Sequence, residues 1–73
     1  MYTLVLGGNS YIAQSLRMSL HEQSIPTIIF SRKPPKQKYN NEYLVLGEIN
    51  NHEKLNSCFN KKISTVFQFI YSG

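Results

Sequence analysis

A chain of 73 residues makes one domain at most, and at that size only about 60% of the unfolded chain's surface is buried, so marginal stability is expected. Hydrophobic residues make up 41% and aromatic residues 12%, without the long apolar run that a membrane-spanning helix requires. The net charge is +4 and the chain has no aspartate, which excludes a phosphoacceptor aspartate, an aspartic dyad and a Walker-type magnesium site.

The N-terminal Met1-Tyr2-Thr3-Leu4 lacks a basic stretch and a small-residue cleavage site, so it reads as a first strand and not as a signal peptide. A single cysteine, Cys58, allows no internal disulfide, and a reducing compartment, the cytoplasm, is the default expectation. Tyr2 to Leu6 is apolar almost throughout, which suits a strand buried on both faces of a parallel sheet. Two glycines, Gly7 and Gly8, then break the run. From Tyr11 to Gln23, the residues Ile12, Ala13, Leu16 and Leu20 recur at helical spacing, leaving Gln14, Arg17, Ser19 and Glu22 for water.

Ser24 and Pro26 end that helix, and Thr27 to Phe30 forms a second β-branched strand. Strand, helix and strand at this spacing make a right-handed βαβ unit, with the second strand parallel to the first. Ser31 to Glu42 contains Pro34-Pro35 and otherwise polar residues, and is expected to be an exposed connection. Tyr43 to Leu46 is a third strand, closed by Gly47. Asn50 resembles an N-cap with Glu53 three residues on, opening a short helix over His52 to Asn60 whose apolar positions are Leu55, Cys58 and Phe59. Ile63 to Tyr71 is the final strand. The expected fold is α/β, with four parallel strands in the order 3-2-1-4, flanking helices, and a single segment spanning 1–73.

Three stretches carry candidate chemistry. In the first, a strand enters a helix through a glycine turn, so backbone N–H groups and the helix dipole point at whatever lies before the helix, and small residues let a phosphate approach. Gly7, Ser10 and Ala13 fall at the i, i+3, i+6 spacing of one variant of the dinucleotide fingerprint, with Gly8 and Asn9 between them. The candidate phosphate-binding residues are Gly7, Gly8, Asn9, Ser10, Tyr11 and Ile12. The second stretch is Ser31-Arg32-Lys33, at the end of strand two. A NAD-specific site places an acid there to bind the ribose 2′-hydroxyl, whereas two cations and a hydroxyl suit a 2′-phosphate, so NADP is preferred over NAD. The same cations also read as solvated loop charges.

The third stretch is Gly47-Glu48-Ile49-Asn50, after strand three. Glu48 and Ile49 there could meet an adenine edge, and a polar turn entering a helix cap explains the same residues. His21 and His52 have no metal-ligand partner at useful spacing and read as surface helix residues. Cys58 reads as core, and Lys61-Lys62 as a solvated helix end. "RKPPKQK" could touch nucleic-acid phosphates, but only Tyr39 lies near it for stacking and no base-reading motif accompanies it.

Together these stretches resemble the N-terminal part of the extended short-chain dehydrogenase/reductases, the NAD-dependent epimerase/dehydratase group that acts on nucleotide sugars. "VLGGNSYIAQSL" is similar to that family's strand, Gly-Gly-x-Gly-Phe-Ile-Gly turn and helix at Gly7, Gly8, Tyr11 and Ile12, and departs from it at Ser10 and Ala13. "VLGEIN" resembles its adenine-contacting Gly-Asp-x-x-Asp segment, with Glu48 and Asn50 in the acidic places. "TVFQFIYSG" resembles its fourth strand, with Gln68 for a histidine and with Phe69, Ile70 and Tyr71 for small residues beside the cofactor, which puts Phe69 and Ile70 among the cofactor-binding residues.

The resemblance implies a Rossmann-like fold, the incomplete half of a doubly wound sheet. The family's catalytic Tyr-x-x-x-Lys pair is missing: four residues after Tyr2, Tyr11, Tyr39 and Tyr43 stand Leu6, Ser15, Tyr43 and Gly47. The chain is also expected to stop before the sheet's second half and the substrate domain. The implied function is an NAD(P)-binding segment that is not catalytic alone, and the alternatives are a non-catalytic dinucleotide-binding or interaction module and a basic nucleic-acid-binding fragment. An uncovered fourth strand would present an apolar edge and favour self-association.

Overall fold

The computed structural model describes residues 1–7 and 9–69. Four parallel strands, β1 (Tyr2–Leu6), β2 (Thr27–Ser31), β3 (Glu42–Leu46) and β4 (Ile63–Gln68), form one sheet in the order β3-β2-β1-β4. The sequence pattern predicts this class, direction and order. Ile70 and Tyr71, expected to extend the last strand, lie outside the described residues.

The two helices follow from the crossovers. Helix α1 (Tyr11–Glu22) links β1 to β2, and α2 (His52–Ser57), prolonged by a 3-10 turn over Cys58–Asn60, links β3 to β4. Alternate residues of the central strands point to opposite faces. Leu4, Leu6, Ile28 and Phe30 pack with Cys58 and Leu55 on the α2 side. Val5 and Ile29 pack with Leu20 and Leu16 on the α1 side. Two-sided burial is why β1 and β2 read as unbroken apolar runs in the sequence. No helix among the described residues is long and apolar enough to cross a membrane.

Several local expectations need correction. The buried line of α1 is Ala13, Arg17 and Leu20, at i, i+4 and i+7, so Arg17 lies inside and Ile12, at 69% exposure, faces water. Arg17 is buried because Glu42 meets it there. The connection 32–41 is exposed for most of its length, but its expected last residue, Glu42, is the buried first residue of β3. Asn51, not Asn50, caps α2, its side chain accepting from the Lys54 N–H at 3.2 Å. Phe59 falls in the 3-10 turn, where the tighter winding leaves it 51% exposed while Cys58 takes the inward position. On the outer strand β4, Val66 is 47% exposed.

The end of α1 is closed by a left-handed residue, Ser24, with φ of 56°. Its N–H donates to the carbonyl of His21 at 3.0 Å and the Ile25 N–H donates to Leu20 at 3.0 Å. This is the paired-bond closure that glycine most often serves, here carried by serine, with Ile25 packed on the Leu20 cluster.

Candidate functional site

The crossover from β1 leads to β2 on one side, while the crossover from β3 returns to β4 on the other. The connecting chains diverge above the carboxyl ends of β1 and β4, the place where open α/β sheets have a crevice. A cleft of about 540 Å³ lies at these strand ends.

Gly7 forms its floor, with φ of 85°, a left-handed conformation that a side chain would strain. Its N–H donates to the Phe30 carbonyl at 2.7 Å, which ties the turn to the end of β2. Ser10 then caps α1 from extended backbone, its Oγ accepting the Ala13 N–H at 3.1 Å. The hydroxyl is thus turned onto the helix. The N–H groups of Tyr11 and Ile12, in the first turn, have no acceptor among the described residues and sit where the helix dipole is positive. Neither Tyr11 nor Ile12 lines the cleft. The Tyr11 side chain borders a second hollow, between α1 and the Pro34-Pro35 loop, and the Ile12 side chain faces water.

Opposite the glycine turn stand Ser31, Arg32 and Lys33. Ser31 is buried, and its Oγ donates to the Lys33 carbonyl at 2.6 Å while accepting the Lys33 N–H at 3.2 Å. Its single proton is committed within the turn, so the hydroxyl expected to greet a ligand is not free to donate. The side chains of Arg32 and Lys33 are exposed and form no ion pair among the described residues. Asn9 spans the two walls, its Nδ2 donating to Ser31 Oγ at 3.2 Å and to the Lys33 carbonyl at 3.1 Å.

The third wall comes from the turn after β3. Gly47 donates to the Ser31 carbonyl at 2.9 Å, and a Cβ on it would stand 3.1 Å from the Lys54 side chain and 3.3 Å from the Phe30 ring, so the turn is packed down against β2. Glu48 is exposed at the rim, its carbonyl accepting the Asn51 N–H, and Ile49 is half-buried against the α2-side core. Phe69 closes the cleft from the end of β4, with its N–H on the Leu6 carbonyl at 2.7 Å and its ring against the α1-side core.

Of the sequence-predicted residues, Gly7, Asn9, Ser10, Ser31, Arg32, Lys33, Glu48, Ile49 and Phe69 thus line one cleft. Gly8 and Ile70 lie outside the described residues. The wall chemistry is that of an anion site: a left-handed glycine, the N-cap of α1 and two cations without an ion pair among the described residues, against one carboxylate, Glu48. No three His, Cys, Asp or Glu side chains gather to hold a metal among the described residues.

Sequence reasoning missed a polar cluster at the amino-terminal end of the strands, away from the cleft. Arg17 donates to Glu42 through Nε at 2.7 Å and Nη2 at 2.8 Å, and to the Gln37 carbonyl at 2.6 Å. Glu42 also accepts the Tyr39 N–H at 3.0 Å, and the Tyr39 ring stacks on His21 with centroids 4.5 Å apart. The Glu42 hydrogen bond holds the Arg17 guanidinium above its already high ordinary pKa, so it is charged at every working pH. The cluster fastens the later part of the 32–41 connection to α1. Neither a protein-family model nor a curated protein matches this chain.

Proposed function

We propose that the cleft binds an adenine dinucleotide carrying a 2′-phosphate, NADP in preference to NAD, and that the chain is the cofactor-binding segment of an epimerase/dehydratase-like oxidoreductase. The observation that carries this reading is the convergence of the glycine turn, the α1 N-terminus and the Arg32-Lys33 pair on one cleft at the strand ends. The donor set fits the group. The α1 N-terminus suits a pyrophosphate, the left-handed Gly7 keeps a side chain out of its path, and Arg32 and Lys33 suit a second phosphate. Glu48 and Ile49 form the wall suited to the adenine.

The fold reading that accompanies this is the first half of a doubly wound, Rossmann-like sheet, supported by the strand order and by helices on opposite faces. When bound, the cofactor supplies hydride transfer. The chain's own residues hold phosphates and exclude side chains from them, and with no Tyr-x-x-x-Lys pair in the sequence they supply no tyrosine base, so these residues bind and do not turn over substrate. Nucleotide sugars are the substrate class that the family resemblance suggests for the parent activity. The outer strand β4 is a surface for self-association, supported by the exposure of Val66.

Charge reversal tests the reading. Arg32→Glu with Lys33→Glu is expected to weaken NADPH binding by about 100-fold or more, since each charge-assisted phosphate bond contributes about 1.5–3 kcal/mol, and to leave NADH binding within a few-fold. Equal loss for both cofactors would sink the assignment of these cations to the 2′-phosphate.

A further inference from the structure

Asn9 joins two segments that the sequence separates by more than twenty residues. Its Nδ2 donates to Ser31 Oγ at 3.2 Å and to the Lys33 carbonyl at 3.1 Å. A backbone carbonyl can only accept, so the amide nitrogen and not its oxygen must face Lys33. Asn9 is held from behind as well, its own carbonyl accepting from Gln14 Nε2 at 3.2 Å. The Lys33 carbonyl thus receives both the Asn9 amide and the Ser31 hydroxyl, at 3.1 and 2.6 Å.

The consequence is geometric. The backbone that carries Arg32 and Lys33 is clasped to the glycine turn before any ligand arrives, so the ordering cost of bringing the two walls to a fixed separation falls on folding and not on binding. The clasp also divides two hollows, because Asn9 and Lys33 border both the cleft and the neighbouring groove along α1. Without it, the 31–33 turn would lose its tie to the phosphate-facing backbone while the strands beneath kept their own pairing.

Resting on the reading of the cleft as a dinucleotide site, we infer that Asn9 is the positioning residue for 2′-phosphate selectivity. It sets the Arg32-Lys33 turn at the distance from the glycine turn that one molecule bearing a pyrophosphate and a 2′-phosphate requires. A residue that served only the fold would affect both cofactors alike.

The test is the ratio of NADPH to NADH dissociation constants in Asn9→Ala and Asn9→Asp, with 2′,5′-ADP and 5′-AMP as short probes of the phosphate alone and thermal melting as the control for folding. Asn9→Ala is expected to weaken NADPH and 2′,5′-ADP about tenfold, the effect of one or two lost hydrogen bonds, with NADH and 5′-AMP changed less than about twofold. Asn9→Asp, which sets a carboxylate against the Lys33 carbonyl and near the phosphate, is expected to lose more. Ser31→Ala reads the clasp from its other end, keeps the inference testable if the Asn9 variants do not fold, and is expected to raise the ratio about threefold. An unchanged ratio in the folded variants overturns the inference while wild-type NADPH binding stands. If the wild-type chain binds neither cofactor, the dinucleotide reading falls and this inference with it.

Discussion

Arg17 and Glu42, on α1 and at the start of β3, form a two-pronged ion pair of 2.7 and 2.8 Å with side chains only 4% and 1% exposed. The surrounding bonds to the Gln37 carbonyl and the Tyr39 N–H make it a closed network that fixes the basic connection. Removing one partner leaves a buried charge without compensation, which costs about 3–5 kcal/mol. Such a loss is severe in a chain of 73 residues, whose whole stability is about 4–11 kcal/mol. Urea unfolding is expected to show Arg17→Met and Glu42→Leu each close to unfolded, and the double variant Arg17→Met with Glu42→Leu much less damaged than the two losses added. Additive losses would mean that the pair does not act as a unit.

The left-handed Ser24 is an easier site to improve. Glycine adopts φ of 56° without the steric cost that a Cβ brings, so Ser24→Gly is expected to raise stability by about 1 kcal/mol, read as a higher urea midpoint with unchanged slope. A lower midpoint would contradict the closure described for α1.

Cys58 carries a pH dependence whose sign can be worked out. Burial pushes its thiol above the ordinary 9.0, so the folded chain keeps the proton at a pH where the unfolded chain has released it. The thiol's contribution is therefore intact below the ordinary thiol pKa and declines as pH rises past it. Thermal unfolding above about pH 8.5 is expected to fall more steeply in the wild type than in Cys58→Ala, and native Cys58 is expected to react slowly with thiol reagents at neutral pH. Parallel curves for the two proteins would contradict this.

Much of the fold is legible in the sequence because its determinants are local. Continuous apolar runs at Tyr2–Leu6 and Thr27–Phe30 mark two-sided burial, and helices of crossover length impose parallel pairing. The misses are long-range. Arg17 looks solvent-facing because its partner Glu42 lies 25 positions on, beyond a Pro-Pro loop, and no periodicity links them. Asn50 and Asn51 are chemically equivalent caps that only backbone register separates. At the cleft, the residue types at Gly7, Ser10 and Arg32-Lys33 are legible, but the Asn9 clasp and the commitment of the Ser31 proton depend on how two distant turns meet.

The outer strand makes a separate prediction. Val66, 47% exposed on β4, is expected to support concentration-dependent association in sedimentation equilibrium, and Val66→Lys to shift the chain toward monomer. A wild-type chain that is monomeric at every concentration would contradict association through this edge.

The most direct measurement is calorimetric titration of the wild-type 73-residue chain with NADPH and, separately, with NADH. Saturable binding of NADPH at clearly lower concentration than NADH is the expected result, since on the proposed reading only NADPH would engage both the glycine turn and the Arg32-Lys33 wall. Binding of neither, or tighter binding of NADH, would contradict the assignment of the cleft.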